Sequence, residues 1–246
     1  MTENTKTKTR TKTVTKKATN RRSTAKNGSS KNSSKEMILP LITLRALIIT
    51  PNSKLQITAA RDSSIAAFSY AQEQDEHNVA VFCQLNEADE KPEFKDLHKT
   101  GVICKLLSMT QKDANTHQCL ISGFERIKLI EIIDDENVPF RKARIQVLDE
   151  EVQSDKDVAD TLSVLKSCLQ YAIDSSDKTS RALIEDSVPK HLISSILEES
   201  SLSKLTDTLT QILKLDTQTK YMLLSSLNSV ERGRILISAL NGYSYK

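Results

Sequence analysis

Residues 119–132, CLISGFERIKLIEI, place a Gly-Phe-Glu-Arg tetrad between two apolar runs. Glycine alone is typical of a turn, but a turn does not require Phe124 and Arg126 as well. We interpret the runs as two strands, 116–124 and 125–134, joined by a tight corner where Gly123 permits the backbone geometry. Phe124 is expected to face inward, and Arg126 to bond a neighbouring carboxylate or carbonyl. The tetrad is therefore predicted to be scaffold rather than an active site.

The flanking sequence has the pattern of a small sheet with one helix. Residues 38–49 are aliphatic and β-branched and end before Pro51, which predicts a strand. A helix is predicted from about Asp62, because Ile65, Phe68 and Ala71 or Gln72 recur at helical spacing. Further strands are predicted at 78–85, 100–110 and 140–149, with a polar loop at 86–98. Strands at this spacing indicate a sheet that curls into a small barrel.

After about residue 150 the pattern becomes helical. Ser154 is a predicted N-cap with Asp157 at the third helical position, and an apolar stripe follows at steps of four and three residues: Val158, Leu162, Leu165, Leu169 and Ala172. Further helices are predicted to open near Ser180, Pro189, Ser201 and Asp216, and at Asn228, where Glu231 completes a capping box. The fold class is therefore α+β.

Basic and acidic residues are distributed unevenly along the chain. Residues 1–35 carry 11 Lys/Arg and one acid, Glu3, whereas the remainder carries 24 Lys/Arg and 31 Asp/Glu. The basic segment has almost no large apolar side chain, so residues 1–36 are predicted to be a disordered tail. Such a tail could be a solubilising leader, a transit peptide, or a nucleic-acid tether through Lys16, Lys17, Arg21 and Arg22.

The sequence holds no recognisable catalytic or cofactor motif. The five glycines are too dispersed for a phosphate-binding loop, and the four histidines form no metal-ligand spacing. Ser-x-x-Lys pairs occur, but chance supplies several in a chain so rich in both residues. The four cysteines stand alone, which favours a reducing cytoplasm, and no run of 18 apolar residues is present. No catalytic residue, cofactor, metal or membrane contact is predicted.

Several segments carry a combination of residues that resembles a known family. The first, LPLITLRALIITP (39–51), has Leu39, Pro40, Leu41, Leu44, Arg45 and Pro51 at positions that resemble the opening strand of the N-terminal domain of Lon protease. The second, ARDSSIAAFSYA (60–71), resembles the start of its helix through Arg61, Ser64, Ile65 and Ala67. Gln84 stands where a family strand ends in Gln, and Gly101, Gly123 and Arg126 match a strand pair. The resemblance covers roughly residues 38–241.

Some positions depart from the family pattern. Ala46 stands where an acidic residue is usual, and Asn52-Ser53 replaces Gly-Met. Ala60 replaces a glycine, His98-Lys99 stands where Tyr is common, and the basic tail is not a family feature.

The resemblance implies a PUA-like β-barrel with one helix, at 37–150, followed by an α-helical bundle at 151–246. It implies a non-catalytic domain that recognises unfolded or tagged proteins and supports assembly with AAA+ ATPase and protease domains. Self-association is expected to be weak in isolation, so capture would become avid when copies are arrayed in a ring. The sequence leaves open whether the chain is part of a longer Lon or stands alone.

Two alternatives remain open at this stage. One is a stand-alone Lon-domain adaptor, and the other is an RNA- or DNA-binding PUA-like protein that uses the basic tail. Phe94, the aromatic residue of the acidic loop 86–98, is a candidate substrate contact, although such residues more often anchor a loop.

Overall fold

The computed structural model describes residues 35–174, 183–184 and 192–242, which all belong to one folded unit. Its strands are β1 (Glu36–Leu44), β2 (Lys54–Ala59), β3 (Asn78–Cys83), β4 (Thr100–Gln111), β5 (His117–Ile133) and β6 (Lys142–Val147). Its helices are α1 (Asp62–Glu73), α2 (Asp155–Asp174), α3 (Ile193–Glu198), α4 (Leu202–Ile212), α5 (Thr217–Ser225) and α6 (Ser229–Leu240). A sheet with one helix is thus followed by helices, and the predicted α+β class is confirmed.

The six strands form one mixed sheet in the order β2-β5-β4-β3-β1-β6. Only β1 and β3 run parallel; the other pairs are antiparallel. Strand β6 pairs with both β1 and β5, so the pairing runs from β5 through β4, β3, β1 and β6 back to β5. Among the strands that the structure describes, β2 pairs with β5 alone.

Strand β1 changes partners at Pro40. Its first half pairs with β6 up to Pro40, and its pairing with β3 begins at Leu41. Proline has no N–H to donate, so it fits where one ladder ends and the next begins. The predicted strand 38–49 is too long, because β1 ends at Leu44 and Ala46 adopts a positive φ of 48° that breaks the strand.

The predicted corner at Gly123 is wrong: β5 is one continuous strand of 17 residues. It pairs with β2 over residues 117–122 and with β6 over residues 127–133, so the tetrad lies where β5 exchanges partners. On the β4 side, Cys104 pairs with Gly123 and Ile103 with Glu125, which leaves Phe124 as the extra residue of a β-bulge. Phe124 does not face inward, since its side chain is 42% exposed.

Apolar side chains form three buried clusters. Two lie on the sheet, one of them under α1 through Ala67, Phe68 and Ala71. The third lies among the helices and includes Leu165, Leu169 and Ala172 from the predicted stripe of α2. Leu224 of α5 belongs to the first sheet cluster, so helices and sheet share part of one core.

The predicted N-cap at Ser154 is confirmed, and so are the predicted helix openings at Ser201, Asp216 and Asn228. The side-chain oxygens of Ser154, Ser201, Asp216 and Asn228 each accept a hydrogen bond from the backbone N–H three residues later. The capping box at Asn228 is not the one predicted. The Asn228 N–H donates to Ser226 Oγ, and the Ser226 hydroxyl donates to the Glu231 carboxylate. The Ser226 hydroxyl thus lies between the two groups that a direct capping box would join.

Some predictions fall on residues outside the described ranges. They are the helix openings near Ser180 and Pro189, the tail up to residue 34, and its Lys16, Lys17, Arg21 and Arg22. Residue Glu36, assigned to the tail, begins β1 instead. No described helix is long and apolar enough to cross a membrane, and within the same ranges no cluster of His, Cys, Asp and Glu is suited to a metal ion.

Candidate functional site

Arg126 connects the sheet to the helices at a buried junction. Its Nη1 lies 3.1 Å from Asp207 Oδ2, its Nη2 bonds the other carboxylate oxygen, and its Nε donates to the Leu224 carbonyl at 3.0 Å. The Arg126 side chain is 4% exposed and that of Asp207 is 1% exposed. The expected bond from Arg126 to a carboxylate or carbonyl is confirmed, and both acceptors come from the helices.

A second arginine and a second carboxylate complete this junction. Arg232 of α6 is fully buried, places its Nε 3.7 Å from Asp207 Oδ1, and bonds Glu150 and the Ser226 carbonyl. Two cations thus face two anions. Burial of this kind is tolerated only when each charge has a partner, so the junction serves to hold the fold together.

Burial and charge act in opposite directions on the two carboxylates. Burial raises the pKa of Asp207, although hydrogen bonds and charge from Arg126 oppose that rise. Burial also acts to raise the pKa of Glu150, but the Ser203 hydroxyl and the Arg232 and Arg126 charges outweigh it, so the net pKa is lowered. These helical partners were not identified from sequence, where Asp207 looks like any polar residue of an amphipathic helix.

Gly123 is required at the edge of the same junction. A Cβ at this position would lie 2.5 Å from the carbonyl oxygen of Thr50, which is closer than any side chain tolerates. The Asn52 N–H donates to the Gly123 carbonyl at 2.9 Å, and the Thr50 hydroxyl donates to the Asp207 carbonyl at 2.9 Å. The segment after β1, including the buried Pro51, is therefore held between β5 and α4.

Arg61, which precedes α1, is held in a different way. Its guanidinium donates to Thr43 Oγ1 at 3.0 Å, to Gln84 Oε1 at 3.0 Å and to the Asp89 carbonyl at 3.1 Å, all of which are uncharged acceptors. Burial lowers the pKa of Arg61, and the nearby Arg45 lowers it further. Arg61 fixes the loop after β3 against β1 and keeps a positive charge without a bonded carboxylate.

Two cavities meet at Arg61. One of about 390 Å³ is a groove between β2 and the end of β1. The other, about 440 Å³, is bordered by Arg61, Arg141 and the acidic residues 134–136. Arg45, which follows β1, lies on the rim of the groove and contacts Glu90 at 3.3 Å.

A third cavity, of about 590 Å³, lies on the other part of the sheet and has an apolar lining in part. Phe124 and Leu107 contribute to it with side chains 42% and 44% exposed, together with Met37 and Ile103. Leu107 is also a bulge residue, since Leu106 pairs with Ile121 and Ser108 with Leu120. Two bulges thus turn large apolar side chains out of the core toward one cavity, where they can contact an apolar ligand.

The structure places the residues that resemble the family pattern in several parts of the fold. Gly123, Arg126 and Pro51 meet at the buried junction, whereas Arg45 and Arg61 border the groove. Others lie in the sheet: Leu39, Pro40, Leu41 and Leu44 in β1, and Gly101 in β4, where a Cβ would lie 2.4 Å from the Val81 carbonyl oxygen. Ser64, Ile65 and Ala67 lie in α1, and Gln84 directly follows β3.

Phe94 is exposed rather than buried. It begins a short 3₁₀ helix, is 40% exposed, and the Lys99 ammonium lies 3.5 Å from its ring centroid. The loop is anchored by Leu97, which is buried, and by Gln84, which bridges to Leu97. His98, at a position where the family favours Tyr, stacks on Tyr221 of α5 with ring centroids 3.8 Å apart.

Comparison with known proteins gives a consistent result. The family model for the substrate-binding domain of the ATP-dependent protease La (LON) matches residues 38–242. The Lon protease of Heliobacterium modesticaldum is 27% identical over 203 residues, which are 82% of this chain and 23% of the relative. The Lon protease of Cytophaga hutchinsonii is 28% identical over 207 residues, which are 83% of this chain and 24% of the relative.

Solved structures show the same fold. The N-terminal domain of a Mycobacterium avium complex Lon protease superposes with a TM-score of 0.64 at 18% identity, covering 85% of this chain and all of that one. A Lon N-terminal domain protein from Xanthomonas campestris gives 0.57 at 12% identity, covering 82% and 98%. The chain spans about a quarter of the length of the curated relatives it matches.

Proposed function

Because the chain belongs to the family of ATP-dependent protease La (Lon) substrate-binding domains, we propose that it recognises protein substrates for such a protease and has no catalytic activity of its own. Its substrates are unfolded or tagged proteins, and its partners are the AAA+ ATPase and protease domains of a Lon enzyme. Each copy captures a substrate weakly, and an array of copies in a ring captures it avidly. A cytoplasmic location is part of the proposal, supported by four free thiols.

The observation that carries this proposal is the pair of bulge residues at the third cavity. Phe124 and Leu107 expose apolar surface at one and the same cavity, where an apolar segment can contact both side chains. An unfolded protein differs from a folded one in presenting apolar side chains to solvent. A partly apolar cavity with two exposed apolar side chains would therefore bind an unfolded protein in preference to a folded one, whatever its sequence.

The binding of reduced casein, an unfolded protein, tests this proposal. The full chain should bind labelled casein in fluorescence anisotropy, with no ATP hydrolysis and no cleavage. The double variant Leu107→Ala/Phe124→Ala should weaken binding by about tenfold, an amount typical of two truncated apolar contacts. Ile130→Ala is the matched control, because Ile130 is also an exposed bulge residue, between Leu129 and Glu131, but does not line this cavity. Equal binding by the double variant and the control would overturn this assignment, and cleavage by the pure chain would refute the non-catalytic role.

We also propose that the sheet is a small barrel of the PUA-like kind. The circuit of pairings from β5 back to β5 supports closure, since each of its five strands has a partner on both sides over part of its length. Strand β2 would then lie outside the circuit as an extension of β5.

A nucleic-acid role is a second candidate, favoured by the charge of residues 1–35, which carry 11 Lys/Arg and one acid. It predicts an affinity for RNA or DNA that falls steeply with salt and is lost when residues 1–35 are deleted. An affinity unchanged by that deletion would eliminate this candidate.

The adaptor alternative differs from the favoured role in its partner, a separate ATPase, and a pull-down with such an ATPase would distinguish them.

A further inference from the structure

Strand β2 has one free flank. It pairs with β5 from Lys54 to Ala59, and no other described strand pairs with it. Gly123 of β5 accepts from the Asn52 N–H and donates to the Ser53 carbonyl, so both its backbone groups point toward β2. Because antiparallel strands alternate, Ile121 and Cys119 also point toward β2, and their partners Leu55 and Ile57 point back. The N–H and C=O groups of Gln56 and Thr58 therefore point away from β5.

These outward groups have no hydrogen-bond partner among the described residues. No backbone or side-chain bond beyond the β5 ladder involves residues 54–59 within the ranges that the structure describes. Edge strands are usually protected by proline, by several charges or by a covering element. Strand β2 has no proline, and its single charged residue is Lys54 at its start.

The groove of about 390 Å³ lies along this free flank. Four consecutive residues, 56–59, line it, although alternate side chains of a strand point to opposite faces. Contact with four consecutive residues, together with residues from the end of β1 on the opposite wall, places the groove beside β2 on the side away from β5. Its inner wall is apolar and includes Ile57 and the buried Phe68, so it can accept side chains as well as a backbone.

The charges of the groove indicate the chemistry of its occupant. Its lining contains Arg45 and Arg61 and, among the described residues, no Asp or Glu. Arg61 donates only to uncharged acceptors, and the partner of Arg45, Glu90, is itself 87% exposed. An extended segment with apolar residues and a carboxylate, from an acidic side chain or a C-terminus, complements this surface.

We propose that the free flank of β2 binds an extended segment of an unfolded substrate as an added antiparallel or parallel strand. The backbone groups of Gln56 and Thr58 bond the substrate backbone, the groove accepts its apolar side chains, and Arg45 and Arg61 attract its carboxylate. Such strand addition draws affinity from main-chain hydrogen bonds and so tolerates diverse sequences. This inference rests on the proposed function and adds a second contact to the apolar cavity at Phe124.

Proline substitution on the free flank tests the inference. Gln56→Pro removes an outward N–H without removing a bond to β5, and should weaken the binding of labelled reduced casein by about tenfold. Gln111→Pro is the matched control. On β5, the backbone groups of Gln118 point toward β4, so those of the neighbouring His117 point away from β4. The amide of Gln111, which is paired with His117, therefore points away from β5, on the side of the sheet opposite the groove. Gln56→Ala keeps the amide and should retain most of the affinity.

The outcomes separate this inference from the proposed function. If wild type binds casein and Gln56→Pro binds equally well, strand addition is refuted while substrate recognition stands. If wild type does not bind casein at all, both are refuted. Hydrogen exchange on the wild type supplies a result that does not depend on variant folding: bound casein should slow exchange at the Gln56 and Thr58 amides, and unchanged exchange there would refute the inference.

Discussion

Two arginines that match family positions have opposite surroundings. Arg126 is buried, bonds both oxygens of Asp207, and joins β5 to α4. Arg61 is partly exposed, bonds only uncharged oxygens, and borders a groove. Arg126 is paired with a buried carboxylate, whereas Arg61 has no directly bonded carboxylate among the described residues and, of their carboxylates, only the exposed Glu90 acts on its charge from a distance. Arg126 therefore maintains the fold, and Arg61 keeps a guanidinium at the border of a groove.

The largest effect is expected at the junction. Asp207→Ala removes the carboxylate between Arg126 and Arg232 and leaves two buried guanidinium groups with less compensation. Breaking such a pair from one side costs about 3–5 kcal/mol in the free energy of unfolding. Urea unfolding followed by circular dichroism measures the loss.

Removal of a carboxylate near Arg61 provides the matched control for Asp207→Ala. Glu90→Ala removes the exposed partner of Arg45 and should change the free energy of unfolding by less than about 1 kcal/mol. If Glu90→Ala destabilised the protein as much as Asp207→Ala, the contrast between a structural and an available arginine would be wrong.

A smaller loss is expected for Gly123→Ala. The added Cβ would lie 2.5 Å from the Thr50 carbonyl oxygen, so the backbone on one side must move, at a cost of about 2 kcal/mol. The neighbouring variant Phe124→Ala alters an exposed bulge and should stay within about 0.5 kcal/mol of wild type. Thermal unfolding of both variants checks the pair, and equal melting temperatures would contradict the close approach.

A loss of about 1 kcal/mol is expected for Arg61→Ala, because bonds to partly exposed neutral acceptors contribute less than a buried ion pair. Exchange should accelerate in the loop after β3, where the Asp89 carbonyl loses its bond. Arg61→Lys should not restore the loop, since an ammonium cannot reach the three acceptors in the same geometry. Full recovery by lysine would show that charge alone matters at this position.

The smallest effect is a dependence of stability on pH that originates at His98. Burial lowers the pKa of His98, which stacks on Tyr221, so the unfolded chain takes up a proton at a higher pH than the folded one. The stability contributed by neutral His98 is thus complete above about pH 6.5 and is lost as the pH falls below that value. His98→Phe keeps a ring and should flatten this slope in urea titrations at several pH values. An unchanged slope would assign the dependence to other groups.

Local features could be predicted from the sequence, and distant pairings could not. The N-cap at Ser154, the helix opening near Ser201 and the stripe of α2 depend on residues within one or two helical turns, so their spacing identifies them. The predicted corner at Gly123 was wrong because a glycine between apolar runs is equally typical of a turn and of a bulge or close approach. The partner that decides between them, Thr50, is 73 residues away.

The candidate sites were missed for the same reason. Leu107 and Phe124 look like core residues, and only their register against the neighbouring strand reveals them as exposed bulges. The free flank of β2 depends on which strands pair, which one sequence does not encode locally. Phe94 is the aromatic residue of its loop, but the buried residue that anchors the loop is Leu97.

A hydrogen-exchange footprint of bound reduced casein on the full chain tests both contacts at once. Exchange should slow at the Gln56 and Thr58 amides and around Leu107 and Phe124, with no change at the junction formed by Arg126 and Asp207. Protection confined to the helices after β6, with none at β2 or the bulges, would contradict both contacts.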